Sequence, residues 1–215
     1  MPIHDQVVAD RARIGSVPPY SDNAITAGGP PGPDGAVSAV HPAKRHLVLT
    51  NVLGGIAVLG SYVYGLGAMV DPSALWGGVP EWLKPVYTVS MFTAAAGYFG
   101  PLWFVLVGVD ADRVRSGRSG FELFQRCYLL ILVPSALWLP LTARMIAAPS
   151  DGLWFVIRLV LFTVAVGSVG LLVAIMRAEP RPRGVGFGLA VLGQLAFCVQ
   201  TAVLDPLVWP AFFPH

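Results

Sequence analysis

From residue 46 onward the chain alternates long apolar runs with short polar joints. The runs extend from about His46 to Met69, from Pro85 to Val109, from about Phe124 to Ile146, from Leu153 to Met176 and from about Val185 to Val208. A helix rising about 1.5 Å per residue needs roughly 20 residues to cross the hydrocarbon of a bilayer, and each run is that long. Each is bounded by charge, Pro or Gly. The runs do not alternate apolar with polar residues as barrel strands must, and an open strand in lipid would leave its backbone polar groups without partners. The pattern predicts an all-α integral membrane protein, a five-transmembrane-helix bundle over residues 44–215. Residues 1–43 read differently. They contain the run Gly28-Gly29-Pro30-Pro31-Gly32-Pro33 and no apolar periodicity. Such a segment buries too little surface to offset its ordering entropy, so a disordered N-terminal segment is expected. It has no apolar core of the kind a signal peptide carries.

Composition and charge then sharpen this picture. Hydrophobic residues make up 55% of the chain, charged residues 12%, and the mean hydropathy is +0.66. A soluble domain carries about 25% charged residues, so this surface must face something apolar, and the lipid bilayer is the first expected partner. The net charge of +2 argues against a nucleic-acid partner. Basic residues are placed unevenly. Lys44 and Arg45 precede the first run. Arg113, Arg115, Arg118 and Arg126 surround the second joint, and Arg177, Arg181 and Arg183 the fourth. Five crossings put all of these on one side, which the positive-inside rule assigns to the cytoplasm. The N-terminus is then expected in the cytoplasm and the C-terminus outside.

Candidate chemistry sits inside the runs. Ala57, Ser61 and Gly65, and again Thr93 and Gly97 with Ala96 and Gly100, have the small-residue spacing that lets helices approach closely in lipid, within the bundle or in a homodimer. Pro101, Pro134 and Pro140 lie inside runs, so a bend is expected in the outer half of the third helix. Arg158 lies about 7–8 Å into the fourth run, by helical rise. Charges at such depth usually have a partner, and Asp205 is the natural one for Arg158 or Arg144. On the fifth run Gln194, Cys198, Thr201 and Asp205 fall at offsets of 4, 7 and 11 residues, one helical face. Interhelical hydrogen bonds and a lined cavity account for that face equally well. Five of the six tryptophans, Trp76, Trp82, Trp138, Trp154 and Trp209, fall on the expected outer side. An interfacial aromatic belt normally forms at both surfaces, so the bias points to an aromatic-lined ligand site there. Cys127 and Cys198 form no CxxC pair, and none of the four histidines lies deep in a run. No metal centre or helix-held haem is therefore expected. HExxH, GxSxG and P-loop motifs are absent, which argues against an enzyme of those kinds.

Trp76, Pro80, Trp82 and Pro85, together with Leu137-Trp138-Leu139-Pro140, resemble the Trp- and Pro-rich entry to the second helix and the Leu-Trp-x-Pro segment of the TspO/MBR family, the tryptophan-rich sensory or translocator proteins. The chain departs from that family in having Trp82-Leu83-Lys84-Pro85 where a Pro-Pro pair follows the loop tryptophan, Ser135 in place of an asparagine, and a 43-residue extension. The resemblance implies binding of porphyrins or other flat hydrophobic ligands by a sensor or transport-related protein. The residues themselves suggest a site for a hydrophobic or amphipathic molecule lined by Trp82, Trp138, Arg158, Gln194, Thr201 and Asp205. The alternative is an accessory subunit of a larger membrane complex.

Overall fold

A helix closes all its backbone hydrogen bonds within one segment, which makes it the local solution for an apolar run that water cannot solvate. The computed structural model of the protein, which describes residues 41–180 and 184–213, has five such helices. They are α1 (Pro42–Gly67), α2 (Lys84–Trp103), α3 (Glu122–Ala147), α4 (Asp151–Met176) and α5 (Val185–Cys198). Two of them widen into π-helix: α2 over Phe104–Gly108, and α5 over Val199–Val208, after which a final turn, α6 (Trp209–Phe212), ends the span. Five segments are thus long and apolar enough to cross a membrane, and the protein is an all-α, multi-pass membrane protein. The segment expected to be disordered, residues 1–43, lies outside the described residues up to residue 40. His41 to Ala43 instead begin α1, with the His41 ring accepting the Ala43 N–H at 3.2 Å and Pro42 at the first helical position.

The helices run up and down. One end gathers the start of α1, the α2–α3 joint and the α4–α5 joint, and is here called the basic end. The other gathers the α1–α2 and α3–α4 joints with α6, and is called the aromatic end. At the basic end β1 (Arg115–Ser116) pairs antiparallel with β2 (Ala178–Glu179). At the aromatic end the Gly78 N–H donates to the Phe212 carbonyl at 2.7 Å. There Asp71 caps a 3-10 turn (Pro72–Trp76). Hydrogen bonds from the Ser73 hydroxyl, 2.7 Å, and the Ser73 N–H, 2.9 Å, hold the Asp71 carboxyl below its ordinary range.

Packing follows the order α1–α3–α4–α5–α2. Half of the apolar window of α4 is buried (50%) against 6% for α1, so α4 is the central helix and α1 the peripheral one. Small residues set the close crossings. Gly65 of α1 is buried, and a Cβ there would stand 2.7 Å from Leu139 of α3. Gly97 of α2 faces Gly193 of α5 backbone to backbone. Ala57, Thr93 and Ala96, expected with them, are exposed, so the crossings use only part of each small-residue stripe. A polar cluster closes the arc on the other side: the Tyr98 hydroxyl of α2 donates to the Asn51 carbonyl oxygen of α1, and the Tyr98 ring meets Tyr128 of α3 edge-on at 5.6 Å. α3 continues as one helix through Pro134 and Pro140, and departures from the α-helical hydrogen-bond pattern lie elsewhere. They fall in the two π-helical stretches, the longer of which contains Pro206.

Candidate functional site at the aromatic end

The fifth span carries its polar side chains on two faces, because its helix changes width. In the α-helical part Gln194 is fully buried, and its Nε2 donates to the Ser168 carbonyl of α4 at 2.8 Å. The Thr201 hydroxyl lies 2.9 Å from Ser168 Oγ and 2.8 Å from the Phe197 carbonyl. These two predicted site residues therefore form an α4–α5 seam of interhelical hydrogen bonds, which stabilises packing in lipid. Gln194 Oε1 remains buried without a partner.

Asp205 leaves that seam. Residues five apart lie on different faces of an α-helix but come together where i→i+5 bonds close a wider turn. In the π-helical stretch Gln200 Nε2 donates to Asp205 Oδ1 at 2.7 Å. Pro206 accounts for the widening, since it has no N–H and its ring displaces the carbonyl four residues earlier. Residues of the four other spans gather at this end. Tyr62 of α1 and Tyr87 of α2 lie within electrostatic range of the Asp205 carboxylate, and the Tyr87 hydroxyl donates to the Leu204 carbonyl at 2.9 Å. Trp138 of α3 meets Tyr62 at 6.1 Å and Trp209 at 5.9 Å between ring centroids. Trp209 donates its Nε1–H to the Leu75 carbonyl at 2.9 Å and packs on Phe213 at 4.5 Å. Trp154 stacks on Phe213 at 5.6 Å.

Three polar atoms in this cluster are uncommitted. Gln200 is 6% exposed and its Oε1 accepts no hydrogen bond; Trp138 Nε1 is buried and donates none. Asp205 Oδ2 accepts none from the described residues. Orphaned buried polar groups each cost about 1–3 kcal/mol, so such a group in a native protein calls for a partner. An acceptor pair, a donor and an apolar ring wall together could hold a molecule with a hydrogen-bonding head and an apolar body. Compared with known proteins, the chain matches no family model, no curated protein and no solved structure.

Two expectations need correcting. Among the described residues Asp205 has no arginine within salt-bridge distance: the Arg158 guanidinium lies over the Phe162 ring of its own helix, 5.2 Å from the centroid, and Arg144 is exposed. A cation over a ring face, with its stem along apolar surface, needs no counter-charge. Trp82 is 72% exposed and stands apart from the cluster, where an interfacial tryptophan sits. Of the predicted lining, Trp138 and Asp205 share a neighbour: Tyr62 meets the Trp138 ring and lies within electrostatic range of Asp205. Sequence periodicity missed Gln200, Tyr62 and Tyr87. Pro206, which changes the helical period, was the available signal. Among the described residues no group of His, Cys, Asp or Glu side chains could hold a metal, and both cysteines are free.

Proposed function

We propose that the protein binds an amphipathic small molecule at membrane depth in its aromatic end, as a sensor or transport-related protein. The observation that carries this reading is a pair of buried polar atoms without partners, Gln200 Oε1 and Trp138 Nε1, at the end where the Asp205 carboxylate and a cluster of aromatic rings lie. A carboxylate without a cation favours a head that donates hydrogen bonds or carries an amine. The TspO/MBR resemblance suggests a flat ring system. Asp205 would repel the acid edge of a porphyrin, so such a ligand would present ring nitrogen instead. The rings pack on one another, and entry by parting α1 from α3 costs least because α1 is the least buried helix. We infer further that the basic end faces the cytoplasm, from its excess of Lys and Arg.

The test is a titration of the purified protein with a long-chain alkylamine and, separately, with protoporphyrin, read by quenching of tryptophan fluorescence. Saturable binding of either probe is expected, weakened about tenfold or more by Asp205→Asn or Gln200→Leu, the loss of one charged or buried hydrogen bond. Trp82→Phe should bind as wild type. Binding unchanged in both site variants would overturn the proposal. One feature favours the second reading, an accessory subunit. The outer face of α1 is bare, with open space over Gly60 and Gly67. A polypeptide that co-purifies in fixed ratio, with no saturable ligand, would decide for it.

A further inference from the structure

The basic end holds a separate cleft of about 550 Å³, between the start of α1 and the α2–α3 joint. His46, Asp112, Arg115, Arg118, Glu122 and Gln125 line it. Two features make it attractive to an anion. First, two helices begin at it: residues of the first turns of α1 and of the N-terminal turn of α3 form its walls. The dipoles of helix starts favour negative charge, while N–H groups at the start of α3 are already bonded, Gly120 to the Glu122 carboxylate and Leu123 and Phe124 to the Gly120 and Phe121 carbonyls. Second, its two arginines are free. Asp112 is engaged by the His41 ring at 3.1 Å, and the Glu122 carboxylate turns back to accept the Gly120 N–H at 3.1 Å. Among the described residues Arg115 and Arg118 have no carboxylate within 4.0 Å. The surrounding field is positive as well. Among the described residues this end carries seven Lys or Arg side chains, Lys44, Arg45, Arg113, Arg115, Arg118, Arg126 and Arg177, against four carboxylates, Asp110, Asp112, Glu122 and Glu179.

The arginines narrow the chemistry. Planar guanidinium forks match phosphate oxygens in pairs, which a carboxylate-sized anion would use less fully. The cleft also lies at the ends of the spans, the level at which lipid headgroups sit.

We propose that this cleft binds a phosphate ester of net negative charge, with Arg115 and Arg118 on the phosphate. The ester is either an anionic lipid headgroup of the glycerol-phosphate type or a soluble molecule of the same chemistry.

Isothermal titration of the full-length protein in neutral detergent tests this with three probes: short-chain phosphatidylglycerol, short-chain phosphatidylcholine and glycerol 3-phosphate. Phosphatidylglycerol should bind one to one, and phosphatidylcholine about tenfold more weakly or not at all. The double variant Arg115→Gln with Arg118→Gln should lose about tenfold or more in affinity, as expected for charged hydrogen bonds. Arg177→Gln, at the same end but outside the cleft, should stay within about twofold, since it alters only a screened, distant charge. Glycerol 3-phosphate binding as tightly as the lipid identifies a soluble ester, and tight binding of the lipid alone identifies the headgroup. Equal binding of phosphatidylcholine, or a double variant that binds phosphatidylglycerol like wild type, overturns the proposal. Arg115→Gln alone, judged by the same criterion, serves if the double variant does not fold.

Discussion

Gly97 and Gly193 carry the α2–α5 crossing at the scale of single residues. A Cβ built on either would stand 2.5 Å from the carbonyl oxygen of the other, and backbone on both sides cannot yield as a side chain can. Gly97→Ala should therefore destabilise the bundle by about 1–3 kcal/mol, the usual cost of overpacking. Gly60→Ala, which meets open space on the lipid side of α1, should leave the melting temperature unchanged or slightly raised. Thermal melts of both variants in one detergent check the pair, and equal melting temperatures would show that the crossing is looser than described. Gly97 is legible in the sequence because small-residue spacing has one main use in lipid. Arg158 is legible only as a charge in need of accommodation. Whether it finds a carboxylate or a ring depends on side-chain direction, and here it lies over its own Phe162, four residues on. Trp138 and Asp205 are legible from type and depth only as an aromatic and a charged residue at one end of the bundle. Gln200 is not, because one residue's rotation separates a lipid-facing position from a buried one.

At the scale of elements, hydropathy and length decide the spans, and these agree with the structure to within a few residues at nearly every boundary. The start of α1 comes about four residues earlier, where His41 and Pro42 supply a cap and a first turn that hydropathy does not register, and the fifth span runs about four residues further, to Phe212. The two-residue strands are invisible to pattern because their pairing joins loops some sixty residues apart. The π-helical stretch of the fifth span is hidden for another reason: a period of 3.6 is assumed before the residues are assigned to faces. Pro206 provides the test of what holds that stretch open. Proline inside a helix costs about 3 kcal/mol relative to alanine, while truncating its buried ring by two methylenes forfeits about 1–2 kcal/mol. Pro206→Ala should thus be at least as stable as wild type. The restored N–H lets the segment close as α-helix and turns Gln200 away from Asp205. Probe binding at the aromatic end should fall about tenfold, as for loss of the Gln200 hydrogen bond itself. Wild-type affinity in a variant of full stability would mean that the wide turn has another cause.

For the whole molecule the open quantity is its direction across the membrane, which the fold leaves undetermined because the bundle is equally well packed either way up. The proposed direction, with the basic end in the cytoplasm, rests on the charge distribution. Lys and Arg within short loops fix orientation during insertion, whereas Asp and Glu contribute little. The basic end has seven Lys or Arg among its described residues. The aromatic end has Lys84, paired with Glu81, and Arg144 at a helix terminus. A sidedness probe must be exposed at its end and must leave this bias intact. Ser116 fails the first condition, being 7% exposed in the β1–β2 pair. Glu179 and Ser73 meet both, since each is exposed and neither is a Lys or Arg. In a protein with Cys127 and Cys198 replaced by Ala, Ser73→Cys should react with a membrane-impermeant maleimide on intact cells. Glu179→Cys should react only after the cells are permeabilised. The opposite pattern would invert the molecule and set the phosphate-binding cleft on the outer surface. Labelling of both cysteines in intact cells would contradict an odd number of crossings between them, which the three spans α2, α3 and α4 require.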